Sequence, residues 1–340
     1  MCGLGFSDRP VYFWIRWANR ENMARRPDPE VQALLESADR LPIPPTYALS
    51  VESARDRLDR LLTDQPVEAV AGVENFSIPG PESAIPIRIY VPDGSPPYPV
   101  LVYFHGGGWT AGSLDTHDSV CAALTNRAGC LTVSVDYRLA PEHPFPAAVE
   151  DSYAAVEWLA AHGERINADT GRIAVAGDSA GGNLTAAVTI MARDHDGPRF
   201  VHQGLLYPAV ASPTVHEFES YEENAEGYLL EMASVRWYYD QYFQSPVHAR
   251  NEYAAPLLAD DLSGLPPATV ITAGFDPLRD EGIEYAVRLE ADGVDVEHRH
   301  YERMIHAFVS LPEAISQSQA AIDALGSQLA GAFDTSVTHD

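Results

Sequence analysis

The stretch Gly177-Asp178-Ser179-Ala180-Gly181-Gly182 decides the predicted fold. It follows an apolar run at 172–176, which is typical of a buried strand, and it precedes a helical pattern at 183–193. Side chains two residues on either side of the serine would collide in so sharp a turn, so glycine at both positions is a steric requirement. An idle serine in a glycine-rich turn is the alternative interpretation. The flanking strand and helix instead favour a nucleophile elbow that exposes Ser179.

Apolar runs alternate with helical patterns on both sides of this turn. The run at 99–104 is continuous, as in a central strand, and further strands are predicted at 130–137, 204–208, 268–273 and 294–301. Two earlier segments, 73–79 and 85–92, alternate like an antiparallel hairpin at a sheet edge. Helices are predicted at 118–128, 147–161, 282–292 and 312–332. This order predicts an α/β fold with a mostly parallel sheet and helices on both faces.

Two parts of the chain fall outside this alternation. Residues 31–41 and 50–62 predict helices that precede the first strand and must therefore pack outside the sheet. About sixty residues separate the strands at 204–208 and 268–273, which is far longer than a usual connection. We expect this aromatic-rich insertion to be helical and to cover the carboxyl end of the sheet. The predicted division is 1–55 and 209–254 as cap, with 56–208 and 255–340 as core; residues 1–22 show no clear pattern.

A serine nucleophile needs a base, and the base needs an acid to orient it. Of the twelve histidines, His306 lies just past a predicted strand end, whereas His298 and His300 lie within that strand and His339 lies in the tail. Asp276 directly follows the strand at 268–273, at 97 residues from the serine and 30 from His306. We therefore predict Ser179, His306 and Asp276 as nucleophile, base and acid.

Three nearby carboxylates are weaker candidates for the acid. Asp280 and Glu281 are explained equally well as charges at the N-terminus of the next helix. Asp178, beside the nucleophile, is expected to make local hydrogen bonds.

The oxyanion of an acyl-transfer intermediate needs bare N–H groups that converge on one point. The run Gly106-Gly107-Gly108 follows a central strand, and glycine permits the required backbone angles. Ala180 adds an N–H at a helix N-terminus, where partial positive charge favours an anion. We predict an oxyanion hole formed by Gly106, Gly107, Gly108 and Ala180, with Gly107 and Gly108 as the main donors. His105 is expected to shape the loop and Trp109 to pack.

Together these motifs resemble the hormone-sensitive-lipase-like branch of the α/β-hydrolases, the family IV esterases. The matching segments are 105–108, 136–148, 177–183, 276–282 and His306, so that the resemblance covers the chain from about residue 27. It implies an eight-stranded sheet with a helical cap, ester hydrolysis without a cofactor, and a preference for short to medium acyl chains. Two departures are Arg303 and Ala307, where the family usually or often has glycine.

Composition narrows the partners and the environment. The chain carries 49 acidic residues against 22 arginines and no lysine, a net charge of −27, which disfavours nucleic acid and anionic lipid. Salt adaptation and a GC-rich genome each explain this composition. Three cysteines, no secretory signal and no apolar run of ~18 residues indicate a cytoplasmic protein without a membrane span. No group of histidines with cysteines or aspartates has the spacing of metal ligands.

The sequence thus predicts a carboxylesterase that acts on small-molecule esters through an acyl-enzyme. An amidase or deacetylase of the same branch would use the same residues. A ligand-binding protein on a catalytically dead scaffold, like the plant gibberellin receptors, is the alternative from another class; the presence of all three catalytic residue types disfavours it. The resemblance also makes a homodimer plausible.

Overall fold

The computed structural model describes residues 26–40 and 44–335, and the predictions for residues 1–22, Cys2 and His339 lie outside this part. The strands are β1 (Gly72–Pro79), β2 (Ala84–Val91), β3 (Tyr98–Phe104), β4 (Leu131–Val135), β5 (Ala168–Asp178), β6 (His202–Leu206), β7 (Ala268–Phe275) and β8 (Val296–Ile305). The α-helices are α1 (Pro29–Asp39), α2 (Val51–Leu62), α3 (Asp118–Ala128), α4 (Ala147–His162), α5 (Ala180–Asp194), α6 (Glu219–Glu223), α7 (Met232–Tyr242), α8 (Arg279–Ala291) and α9 (Gln317–Thr335).

All eight strands form one sheet in the order β1-β2-β4-β3-β5-β6-β7-β8. Along the sheet, the six strands β4, β3, β5, β6, β7 and β8 pair in parallel. Strand β2 runs antiparallel to both of its neighbours, β1 and β4. The predicted α/β-hydrolase architecture of a mostly parallel sheet, with the 73–92 hairpin at its edge, is therefore confirmed. Parallel pairing brings the carboxyl ends of β3, β5, β7 and β8 to the same side of the sheet.

Alternate residues of the central strand β3 face two separate cores. Val100, Val102 and Phe104 pack with residues of α4 and α5, whereas Leu101 and Tyr103 pack with residues of α3 and α9. Helix α8 contributes to a third cluster beside β7. Burial on both faces explains why the central strands read as continuous apolar runs.

Some element boundaries differ from their predicted positions. Helix α5 begins at Ala180 because the helix follows the elbow without a linker, not at 183. Strand β8 continues to Ile305, four residues beyond its predicted end, so that His306 directly follows it. The C-terminal helix begins at Gln317, after a 3₁₀ turn at Phe308–Ser310.

Two segments outside the alternation, α2 and the insertion between β6 and β7, contribute residues to the cavity at Ser179. Helix α2 and the insertion helix α7 both line the cavity above the elbow. Between β6 and β7 the insertion contains α6, α7 and two short 3₁₀ turns, so a helical insertion is present where the sequence suggested one. The predicted boundary after residue 55 falls within α2, whose residues line the cavity as far as Leu62.

Candidate active site

Ser179 occupies the turn between β5 and α5 in a backbone conformation that L-residues rarely adopt, with φ 55° and ψ −116°. A Cβ on Gly177 or on Gly181 would overlap backbone atoms of Phe104 at the end of β3. The N–H of Ser179 donates to Leu206 O at 2.8 Å, which ties the turn to β6. These contacts explain why the elbow needs glycine on both sides of the serine and how the turn is held in place.

The three residues predicted as nucleophile, base and acid lie together. His306 Nε2 is 2.9 Å from Ser179 Oγ, and His306 Nδ1 is 2.8 Å from Asp276 Oδ2. The other carboxylate oxygen of Asp276 accepts a hydrogen bond of 2.8 Å from Leu278 N, so both oxygens are fixed. Asp276 is fully buried, and His306 is nearly so. This arrangement can take a proton from the serine hydroxyl and stabilise the imidazolium that forms.

Two glycines of the 106–108 run present unpaired N–H groups to the same cavity. Neither Gly107 N nor Gly108 N donates to an acceptor within the described part of the chain, and their φ angles are +121° and +60°. Ala180 N follows the nucleophile at the first position of α5. Gly107, Gly108, Ala180 and Ser179 all line the cavity, as expected for oxyanion donors.

The prediction that Gly106 belongs to the oxyanion hole needs correction. Its N–H donates to Asp178 Oδ1 at 2.9 Å. A Cβ at Gly106 would also overlap the Asp178 carboxylate. Gly106 therefore joins the glycine loop to the elbow and is not available to an oxyanion.

Asp178 is the buried centre of a hydrogen-bond network beneath the glycine loop. Besides Gly106 N, its Oδ1 accepts from Tyr103 Oη at 2.9 Å and lies 3.1 Å from His117 Nε2. Burial alone would raise the pKa of Asp178, but His117 and Tyr103 outweigh it and hold the pKa below its ordinary value. Asp178 therefore makes hydrogen bonds, but they are not the local ones expected from the sequence: Tyr103 and Gly106 lie 75 and 72 residues away in the chain.

His105 packs beneath the glycine loop and does not reach the nucleophile. Its Nδ1 donates to Gly106 O at 2.8 Å, and its ring stacks on Tyr137 with centroids 4.3 Å apart. Burial is the main cause that lowers the pKa of His105 to about 3, and the neighbouring His117 is the second. The ring is therefore neutral at physiological pH and shapes the loop.

Asp280 and Glu281, the other candidates for the acid, do not contact the base. Both lie in the first turn of α8, but they are not merely solvated charges at a helix end. Asp280 Oδ2 accepts from Ser220 N at 2.8 Å. Glu281 is fully buried; it accepts from Ala211 N at 3.2 Å and from Tyr221 Oη. Burial raises the pKa of Glu281 to about 8. Both carboxyls therefore hold the insertion.

The cavity beside Ser179 is mostly apolar. The space beside the nucleophile measures about 980 Å³ when the part open to solvent is included. Its apolar lining includes side chains of α2 and of the insertion: Leu58, Leu61, Leu62, Leu229, Leu230 and Val235. Trp109 lines it too and stacks on Tyr242 at 4.3 Å between centroids. The side chain thus packs at the cavity wall, as predicted.

Several residues around the base were not found from the sequence. The Tyr207 ring lies against the His306 ring, with centroids 4.8 Å apart, and no local pattern marked it. Ala307 has φ +64°, a left-handed backbone conformation that favours glycine. Arg303 donates to Arg26 O at 3.3 Å and to Pro27 O at 3.2 Å, so the arginine fastens the start of the described chain to β8.

Two histidines of β8 have structural partners. His298 Nε2 and His300 Nδ1 both lie 2.9 Å from Thr272 Oγ1. No group of three His, Cys, Asp or Glu side chains in residues 26–40 and 44–335 is arranged to hold a metal ion. Across the same residues, no helix has the length and apolar character needed to cross a bilayer.

The chain is similar in sequence to known esterases. A family model described as the alpha/beta hydrolase fold matches residues 101–310. The chain is 43% identical to Esterase LipI of Mycobacterium tuberculosis, over 81% of this chain and 87% of that protein. It is 42% identical to Carboxylesterase NlhH of the same species, over 89% of this chain and 94% of that protein.

Solved structures of esterases share the fold over nearly the whole chain. An ester hydrolase from the metagenome of Lake Arreo superposes with a TM-score of 0.87 at 39% identity, covering 90% of this chain and 99% of that one. The hyperthermophilic esterase of the archaeon Pyrobaculum calidifontis superposes with a TM-score of 0.83 at 40% identity, covering 90% and 98%.

Proposed function

This chain belongs to the hormone-sensitive-lipase-like branch of the α/β-hydrolase family, and we propose that it is a carboxylesterase that uses Ser179 as its nucleophile. The observation that carries the proposal is the continuous hydrogen-bonded chain from Ser179 Oγ through His306 to Asp276, with distances of 2.9 and 2.8 Å. The names of these four relatives, all esterases or ester hydrolases, support the reaction class.

The reaction proceeds through an acyl-enzyme. His306 takes the proton of Ser179 while the serine oxygen attacks the ester carbonyl, and Asp276 stabilises the imidazolium. The alcohol leaves with that proton. Water then attacks the acyl-enzyme with His306 again as base, and the acid product leaves Ser179 free.

The tetrahedral intermediates place negative charge on the former carbonyl oxygen. The N–H groups of Gly107, Gly108 and Ala180 are proposed to bind it, each worth roughly 3–4 kcal/mol of transition-state stabilisation. Gly106 is excluded from this role because Asp178 occupies its N–H.

The apolar character of the cavity is the reason for proposing short- to medium-chain acyl esters as substrates. Six leucine and valine side chains from α2 and the insertion surround the space beside the nucleophile. We propose that the cap consists of the N-terminal helices through Leu62 and the insertion at 209–254.

A homodimer and a cytoplasmic location are also proposed. The homodimer rests on the family resemblance. The location rests on the low cysteine count, and both described cysteines, Cys121 and Cys130, are buried and unpaired. Sedimentation equilibrium and cell fractionation test these two points.

Hydrolysis of p-nitrophenyl esters from acetate to palmitate tests the activity. We expect a maximum at short to medium chains, which Ser179→Ala abolishes with little change in Tm. Ser327→Ala, an exposed serine of α9 that donates only to Asp323 O, is the matched control. Activity retained by Ser179→Ala would refute the assignment. Faster cleavage of p-nitroacetanilide than of p-nitrophenyl acetate would favour the amidase.

A further inference from the structure

Helix α6 of the insertion is docked on the loop that carries Asp276. Ser220, fully buried, donates from Oγ to Pro277 O at 2.7 Å, and its N–H donates to Asp280 Oδ2 at 2.8 Å. Arg279 pairs with Glu223 of the same helix at 2.9 Å. A helix of five residues has little stability of its own, so these contacts define its position.

Asn224, directly after α6, contacts the backbone of the acid itself. Its Nδ2 donates to Asp276 O at 3.0 Å and to Gly274 O at 3.3 Å, so both amide protons are used. The side chain is buried, and Asn224 N is held by Ser220 O at 3.1 Å. Asp276 is thus fixed from three sides: by His306, by Leu278 N and by the insertion.

We infer that Asn224 is a positioning residue for Asp276, and that the insertion takes part in assembling the triad as well as covering the cavity. The inference rests on the proposed role of Asp276 as the acid. Catalytic groups must be held within about 0.5 Å of their productive geometry by the residues that support them. The Asp276–His306 hydrogen bond therefore depends on where Asn224 holds the Asp276 backbone.

A second connection prevents α6 from shifting alone. Tyr221 of the helix and Ala211 N, at the start of the insertion, both donate to the buried carboxyl of Glu281. Glu281 lies five residues after Asp276 on the same segment. Hence Glu281 ties the insertion to the segment that follows Asp276.

Asn224→Ala tests the inference in the full-length protein. The expected result is a fall in kcat of about tenfold on p-nitrophenyl butyrate, the rate equivalent of one hydrogen bond, with KM within twofold. The acid limb of the pH–kcat/KM profile should also move to lower pH, because a displaced Asp276 stabilises the imidazolium less. Asn126→Ala is the matched control: its amide also donates to two acceptors, Glu68 and Ala69 O, but away from the site. The control should change neither quantity.

A purely structural role for Asn224 would give a different result. A lower Tm or a higher KM with an unmoved acid limb would overturn the inference, as would an unchanged kcat. If Asn224→Ala does not fold, Ser220→Ala is the second variant; it removes the bond from Ser220 Oγ to Pro277 O and the 3.3 Å bond that Asp280 N donates to Oγ. This variant should move the acid limb in the same direction, and no movement would overturn the inference. Asp276→Asn separates a failure of the proposed function from a failure of the inference. Full activity in Asp276→Asn would refute Asp276 as the acid. If Asp276→Asn loses activity and Asn224→Ala does not, only the inference is refuted.

Discussion

Replacing Asp178 by asparagine distinguishes a residue that supports the oxyanion loop from a triad acid. The buried carboxylate holds Gly106 N, Tyr103 Oη and His117 Nε2 at 2.9–3.1 Å. Hydrogen bonds to a charged group are worth ~1.5–3 kcal/mol and those between neutral groups ~0.5–1.5 kcal/mol. Loss of the charge therefore costs about 1 kcal/mol per bond, or about 3 kcal/mol over the three contacts.

This loss should appear mainly as reduced stability. At about 2 °C per kcal/mol for a large domain, Tm should fall by about 6 °C. Loss of one oxyanion donor costs about 10²- to 10³-fold in kcat. The carboxamide oxygen of the new asparagine would still accept from Gly106 N. We therefore expect Asp178→Asn to lower kcat only about tenfold. Asp276→Asn should instead lower kcat by about 10⁴-fold, as in serine-protease triads.

Thermal unfolding and kcat on p-nitrophenyl butyrate, measured side by side for the two variants, provide the assay. An Asp178→Asn variant as inactive as Asp276→Asn would show that Asp178 acts in the chemistry. An unchanged Tm would show that its three contacts do not stabilise the loop. Either result would refute this reasoning.

Three further predictions concern stability. The folded protein keeps the Glu281 proton up to about pH 8, whereas the unfolded chain loses it near 4.5, so stability should fall by up to about 1.4 kcal/mol per pH unit between these values. Glu281→Gln should remove this slope in urea titrations, and equal slopes would contradict it. Ala307→Gly should raise stability by roughly 0.5–1 kcal/mol by relieving the left-handed backbone at φ +64°, and a lower Tm would contradict it. The net charge of −27 predicts a Tm that rises from low to molar salt as repulsion is screened; a flat response would favour genome composition as the cause of the acidic surface.

The catalytic candidates were predictable because each follows a strand. Ser179, Asp276 and His306 are far apart in the chain, but a parallel sheet collects the ends of β5, β7 and β8 at one edge. Local patterns mark each strand end, and chain order then assigns the roles. For the same reason, the parallel centre of the sheet followed from the alternation of strands and helices.

Contacts between distant segments could not be predicted in this way. The occupied N–H of Gly106 depends on Asp178, which is 72 residues away, and Asn224 reaches Asp276 from the insertion, 52 residues away. Glu281 resembles any acidic residue in a helix's first turn, yet it is fully buried and accepts hydrogen bonds from two residues of the insertion. Such side chains carry no local signature because their partners are set by tertiary packing.

The departure from the family pattern at Arg303 has a structural explanation. Its guanidinium donates to the carbonyls of Arg26 and Pro27, and its own carbonyl accepts from Asp28 N at 3.0 Å. A glycine would keep only the last of these bonds. The arginine thus links residues 26–28 to the strand that ends at His306.

The proposal that Ser179 is the nucleophile is tested most directly by covalent labelling with diethyl p-nitrophenyl phosphate. Attack by the serine oxygen on phosphorus releases p-nitrophenolate and leaves a diethylphosphoryl group on the enzyme. We predict stoichiometric release, loss of esterase activity in parallel, and an adduct that peptide mass spectrometry places on Ser179, with no labelling of Ser179→Ala. An adduct on another residue that accompanies inactivation, or inactivation with Ser179 unmodified, would contradict the proposal.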